Sequence, residues 1–137
     1  YNYLDRSKMS PRESLMAAYD ADIFLSSANA VTNDGILINI DGNSNRVSCI
    51  AQGPRKVVFI VGINKVCSDL DSAMKRARNV AAPVNAQRFD LNIPCRETGK
   101  CFDCKSMDTI CCQFLITRFS RHTDRIHVIL VNDTLGY

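Results

Sequence analysis

No stretch of this chain is long and apolar enough to span a bilayer. The longest uncharged apolar run, Val57 to Ile63, falls far short of the roughly 20 residues a transmembrane helix needs. No basic region followed by an apolar one opens the chain, so no signal peptide is visible and the expected location is cytoplasmic. Charge of one sign is scarce: 17 Lys and Arg against 14 Asp and Glu leave a net +3. With a pI near 8.5 and no nucleic-acid motif, a nucleic-acid reader is excluded. There is no G-x-G-x-x-G fingerprint, no Walker lysine motif and no recognisable Ser/His/Asp set. The two histidines, His122 and His127, fall in a final hairpin and read as solvated or hydrogen-bonded rather than catalytic. Internal repeats and low-complexity segments are also missing.

What is present suits one globular domain. The chain has 137 residues, 46% of them hydrophobic and 23% charged, enough to bury one core. It begins with Tyr1 rather than Met, and the expectation is a fragment or processed product, the C-terminal portion of a longer protein. The basic bunches, Lys75 to Arg88 and Arg118, Arg121 and Arg125, read as solvated faces.

The order of elements predicts an α/β domain with a mainly parallel sheet covered by helices. Ser10-Pro11-Arg12-Glu13 is a capping box, and the helix after it should bury Leu15, Met16 and Tyr19 up to about Asp20. Ile23 to Leu25 reads as a short buried strand, Asn33-Asp34-Gly35 as a turn and Ile36 to Ile40 as a second strand. Asn45 to Ala51 reads as a helix ended by Gly53-Pro54. Val57 to Val61 is a continuous β-branched and aromatic run, which fits a central parallel strand buried on both faces. Leu70, Ala73, Met74 and Ala77 form the apolar stripe of a helix capped by Ser68 and stopped by Pro83, with a helical turn over 84–89. Residues 92–112 form a loop without periodicity, and strands over 113–119 and 125–131 close the chain as an edge hairpin.

Two groups of residues carry chemistry. In parallel sheets ligands sit beyond the carboxyl ends of strands. Polar loops at 27–32, 39–46 and 62–65 fall there, the second feeding a helix N-terminus that favours an anion. The candidate ligand-binding residues are Asn29, Thr32, Asp41, Asn43, Asn45, Arg46 and Lys65, and the partner is a small anionic metabolite. Asn, Asp and Gly are also ordinary turn formers, so both readings stand.

The second group is cysteine. Of seven, Cys49 and Cys67 lie in apolar segments and read as buried thiols. Cys95, Cys101, Cys104, Cys111 and Cys112 crowd into the 92–112 loop. A Cys-x₂-Cys pair turns two thiolates toward one centre, and Cys95 with Cys111 or Cys112 would complete four sulfur ligands for zinc or an iron–sulfur cluster. Reduced thiols packing the loop, or a disulfide such as Cys101 to Cys104, remain open.

The motifs Ser27 to Arg46, Val61-Gly-Ile-Asn-Lys65, Arg78 to Arg88, Thr98-Gly-Lys-Cys-Phe-Asp-Cys104 and Ile129 to Tyr137 resemble the LUD domain, the lactate-utilisation family. The resemblance covers essentially the whole chain, 1–137, as a single LUD-like domain. It implies a fold related to the sugar-phosphate isomerase and CoA-transferase group, in members usually longer at the N-terminus. It also implies a role in or beside lactate oxidation, with iron–sulfur partners. Fold kinship alone does not give function. No nucleophile–base pair is legible, so two readings are carried. One is an enzyme or enzyme component binding the metabolite at the strand-end loops. The other is a redox or metal-binding accessory protein without catalysis of its own, whose cysteine loop holds a cluster or zinc and docks a partner; an iron–sulfur protein partner or a homo-oligomer is expected.

Overall fold

The computed structural model describes residues 2–137. It is an α/β domain in which strand pairing is mainly parallel, but the strands form two sheets rather than one. The first has the order β1 (Ile23–Ser26), β4 (Lys56–Gly62), β7 (Ile126–Val131), all parallel. The second has the order β5 (Val66–Cys67), β2 (Ala30–Thr32), β3 (Leu37–Asp41), β6 (Gln113–Thr117). In it β2–β3 and β3–β6 are antiparallel and β2–β5 is parallel.

β6 and β7 thus belong to different sheets, and the expected closing hairpin is corrected. Two consecutive strands pair only if their connection lets them share an edge. Here β6 completes the register of β3, and β7 that of β4.

The main core lies between the sheets. Val31 and Leu37 of the second sheet meet Val57, Phe59 and Val61 of the first, with Ile50 of α2 (Asn45–Ala51). A second cluster packs Ala73 and Ala77 against Ala30, Ile38 and Ile40 on the other face of the second sheet. Alanine on the helix side lets the backbones approach closely, and β2 and β3 are covered on both faces.

The first sheet is covered on one face only. β4 has parallel neighbours on both sides, as expected, but only alternate residues are buried. Ile60 is 41% exposed and Leu25 63%, with Ile23 and Ile129 also exposed. The expected double cover, and burial of Ile23 to Leu25, are corrected: a β-branched run fits one buried face as well as two, and the structure has one.

α1 (Pro11–Tyr19) has its capping box, Ser10 Oγ accepting from Glu13 N and Glu13 Oε2 from Ser10 N. It buries no residue fully, and Met16 and Tyr19 are exposed. Pro83 does not stop the next helix. α3 (Leu70–Arg76) runs through a π-helical segment, Ala77–Ala81, into α4 (Ala82–Ala86). The wider turn accommodates a proline that lacks an N–H and crowds the preceding turn. Asp69, not Ser68, caps α3. Inside the 92–112 loop a short helix, α5 (Pro94–Thr98), ends at Gly99 in the left-handed conformation, φ 69°.

Arg125, expected on a solvated face, is buried. Its guanidinium donates to the carbonyls of Cys49, Ile50 and Pro54 at 3.1, 2.8 and 3.1 Å, satisfying the C-terminal end of α2.

Candidate functional site

Two places in the fold gather polar or reactive side chains. The first lies where β1 ends and the β2–β3 hairpin passes beside it. Asn29 precedes β2 and bonds across to β3: its N–H donates to Ile38 O and its Oδ1 accepts from Ile40 N at 2.8 Å. The same Oδ1 accepts from Arg46 Nη2 at 3.0 Å, which joins the 27–32 and 39–46 loops.

Asp41 occupies the N-terminus of α2. Its Oδ2 accepts from the N–H groups of Arg46 and Val47 at 2.8 and 2.9 Å, and its Oδ1 lies 3.2 Å from Arg46 Nε. The anion expected at that helix end is therefore the chain's own carboxylate, and Arg46 is its partner.

Lys65 behaves differently. It is 5% exposed, and its Nζ donates to Ser27 Oγ at 3.1 Å. No carboxylate stands within ion-pair distance of it among the described residues. Burial, then the charges of Arg76 and Arg46, hold its pKa below the ordinary lysine value. Arg76 reaches the same place from α3, with Nε on Asn64 O at 3.0 Å and Nη1 on Asn29 O. It too has no acidic partner among the described residues. Asn39, fully buried in β3, donates to Ser27 O at 3.0 Å and leaves Oδ1 without a partner.

The C-terminal segment closes over this cluster. Asn64 exchanges hydrogen bonds with Leu135 N and Gly136 O, and Gly136 passes beside Lys65 Nζ. Gly62 permits the approach, since a Cβ there would lie 2.5 Å from Leu135 N and 2.7 Å from Asp133 O.

Of the residues expected in the site, the structure groups Asn29, Asp41, Arg46 and Lys65. Thr32 is buried at the other end of β2, where its Oγ1 bonds Asp34 and accepts from Ile36 N at 2.8 Å to close the turn. Asn43 and Asn45 are exposed. Ser27, Asn39 and Arg76 were missed as site residues. A usable signal existed for two of them: Asn39 is a polar residue between buried Ile38 and Ile40, and Arg76 borders the Ala73–Ala77 stripe.

The second place is the cysteine loop. All seven cysteines are unpaired. Cys95 on α5 and Cys101, Cys104 and Cys111 from the loop line one small cavity with Arg78 and Ala82. Arg78 Nη2 donates to Cys101 Sγ at 3.6 Å and to Asp103 Oδ1 at 2.7 Å. Cys112 is exposed, its thiol donating to Thr109 O at 3.7 Å.

Burial, then neighbouring Cys101, Cys95, Cys104 and Cys112, pushes the Cys111 thiol up to about 11; Cys95 is raised first by burial, then by Cys104 and Cys101. Among the described residues no three His, Cys, Asp or Glu side chains stand together to hold a single metal ion. Of the two cysteines in apolar segments, Cys49 is buried and Cys67 half-buried. His127 Nε2 bonds Asp124 O at 2.8 Å and His122 is exposed. Among the described residues no helix is long and apolar enough to cross a membrane.

The family model of the LUD domain matches residues 4–131, and the chain belongs to that family. No curated protein and no solved structure matches the chain.

Proposed function

We propose that this LUD-domain chain binds a small anionic metabolite, in a role related to lactate utilisation, at the cation cluster of Lys65, Arg76 and Arg46. The observation that carries the reading is Lys65: a buried ammonium with no carboxylate beside it, next to the half-buried guanidinium of Arg76, which also lacks one. A buried charge is costly unless paired. Asp41 offsets Arg46, so the remaining excess is that of Lys65 and Arg76. A carboxylate or phosphate group meeting them would gain charge-assisted hydrogen bonds. Ser27 Oγ and the free Asn39 Oδ1 add an acceptor and donor set suited to a hydroxyl next to the anionic group. Fixed by β-strands and the C-terminal segment, these groups can orient a ligand; a catalytic nucleophile is not part of the proposal.

The test is calorimetric titration with L-lactate, pyruvate and inorganic phosphate. Binding of at least one is expected. It should weaken tenfold or more in Lys65→Met and Arg76→Met, and it should hold in Asn43→Ala. No binding by any of the three, or equal binding by the Lys65 and Arg76 variants, would overturn the reading. Binding should also weaken as pH rises through the Lys65 pKa, which lies below the ordinary value, because the ammonium is then lost.

A further inference from the structure

We infer that Cys95, Cys101, Cys104 and Cys111 are the four ligands of an iron–sulfur cluster, and that Cys112 is not one. The four thiols surround one cavity, yet no three of them converge on a point. A tetrahedral zinc ion requires sulfurs gathered around a single atom. A [4Fe–4S] cube asks for something else: one thiolate at each of four irons, hence four sulfurs arranged around a space. Cys95, Cys101, Cys104 and Cys111 line one such space.

The surroundings agree. Arg78 donates to Cys101 Sγ, as does the N–H of Asp103 at 3.5 Å, and N–H···S bonds of this kind stabilise and tune thiolate-bound clusters. Ala82, Phe102 and Phe114 supply an apolar lining. Thr109 holds two parts of the loop together, bonding Cys104 Sγ at 3.5 Å and accepting from Cys111 N at 3.4 Å. The free space, about 30 Å³, is smaller than a cube, so the loop must widen. The side that can give is the outer one: residues 101–105 form neither helix nor strand, and Phe102 is 59% exposed. On assembly from two ferrous ions, two ferric ions and four sulfides, which balances as a [4Fe–4S]2+ core, four S–Fe bonds to cysteine form and the four thiol protons pass to solvent.

This inference is independent of the anion site. The test uses the full chain, produced in iron-replete cells and purified without oxygen. The expected result is a brown protein with about four iron and four sulfide per chain and a broad band near about 400 nm that bleaches on reduction. Cys101→Ser and Cys111→Ser should lose most of the iron, whereas Cys112→Ser and Cys49→Ser should keep it, with circular dichroism checking that each variant folds. If the ligand variants fail to fold, anaerobic reconstitution of the unaltered apoprotein with ferrous and ferric iron and sulfide decides the question. Zinc in place of iron, absence of any metal after reconstitution, or loss of iron in Cys112→Ser equal to that in Cys111→Ser would overturn the inference.

Discussion

The cation cluster and the cysteine loop are held in opposite ways. Around Lys65 the framework is regular structure. Asn39 is in β3, Arg76 on α3 and Asn29 against β3, with Val31, Leu37 and Val61 buried beneath. Ligand groups on such a scaffold keep their positions whether or not an anion is present. The cysteine loop rests on α5, five residues long, and on a small cluster of Ala86, Ile93 and Cys95. Ordering each of its residues costs about 1–2 kcal/mol of backbone entropy, which so small a core does not return alone. The cation cluster is therefore preorganised, while the loop would gain order from the iron–sulfur cluster proposed for it.

The largest way to break this contrast is at Gly62. Gly62→Ala drives a Cβ into the backbone of Leu135 and Asp133, and flexible side chains cannot absorb the collision. A loss of about 1–3 kcal/mol or more is expected in denaturant unfolding, with weakened anion binding as the C-terminal segment shifts. Iron content per folded chain should not change. If it falls in parallel, the two places are one cooperative unit and the contrast fails.

Asp41→Asn has a smaller effect on stability and a sharper one on function. It weakens the cap of α2 and removes the counter-charge of Arg46. Asparagine keeps an oxygen that can accept the same N–H groups, so the expected cost, about 0.3–1 kcal/mol, is that of the charge lost at the helix N-terminus. Anion affinity should rise, since Arg46 joins the uncompensated charge. Affinity that falls or stays level, measured by the same calorimetry, would mean that Arg46 lies outside the site.

The smallest effect is a pH slope from the loop thiols. Cys111 in the folded chain loses its proton near about 11, above the usual thiol value of 9.0. Its contribution is complete below the unfolded pKa and is lost as pH rises from about 9 toward 11, because only the unfolded chain ionises in that window. Metal-free protein should thus lose stability across that range. Cys111→Ala should flatten the slope, as followed by thermal melts between pH 8 and about 11.

Much of the local structure was legible because its causes are local. The Ser10–Glu13 capping box, the Asn33-Asp34-Gly35 turn and the helix over Asn45–Ala51 depend on residues a few positions apart. β4 was legible from its apolar run, but its second face was not, since periodicity cannot say whether another layer covers it. In the candidate site, Asn29, Asp41, Arg46 and Lys65 were legible as polar residues at strand ends. Thr32, Asn43 and Asn45 look the same in sequence, and only the path of the chain separates them.

The sequence by itself determined the family, the alternation of elements and the crowding of five cysteines into one segment, because each is written in spacing along the chain. Tertiary structure decided the division into two sheets, the use of Asp41 against Arg46, the burial of Lys65 beside Arg76, and which four sulfurs share a cavity. These depend on contacts between distant segments, such as Asn29 with Arg76 and Arg78 with Cys101. Whether a charge is solvated, paired or stranded depends on what the fold brings to it, and spacing along the chain does not encode that.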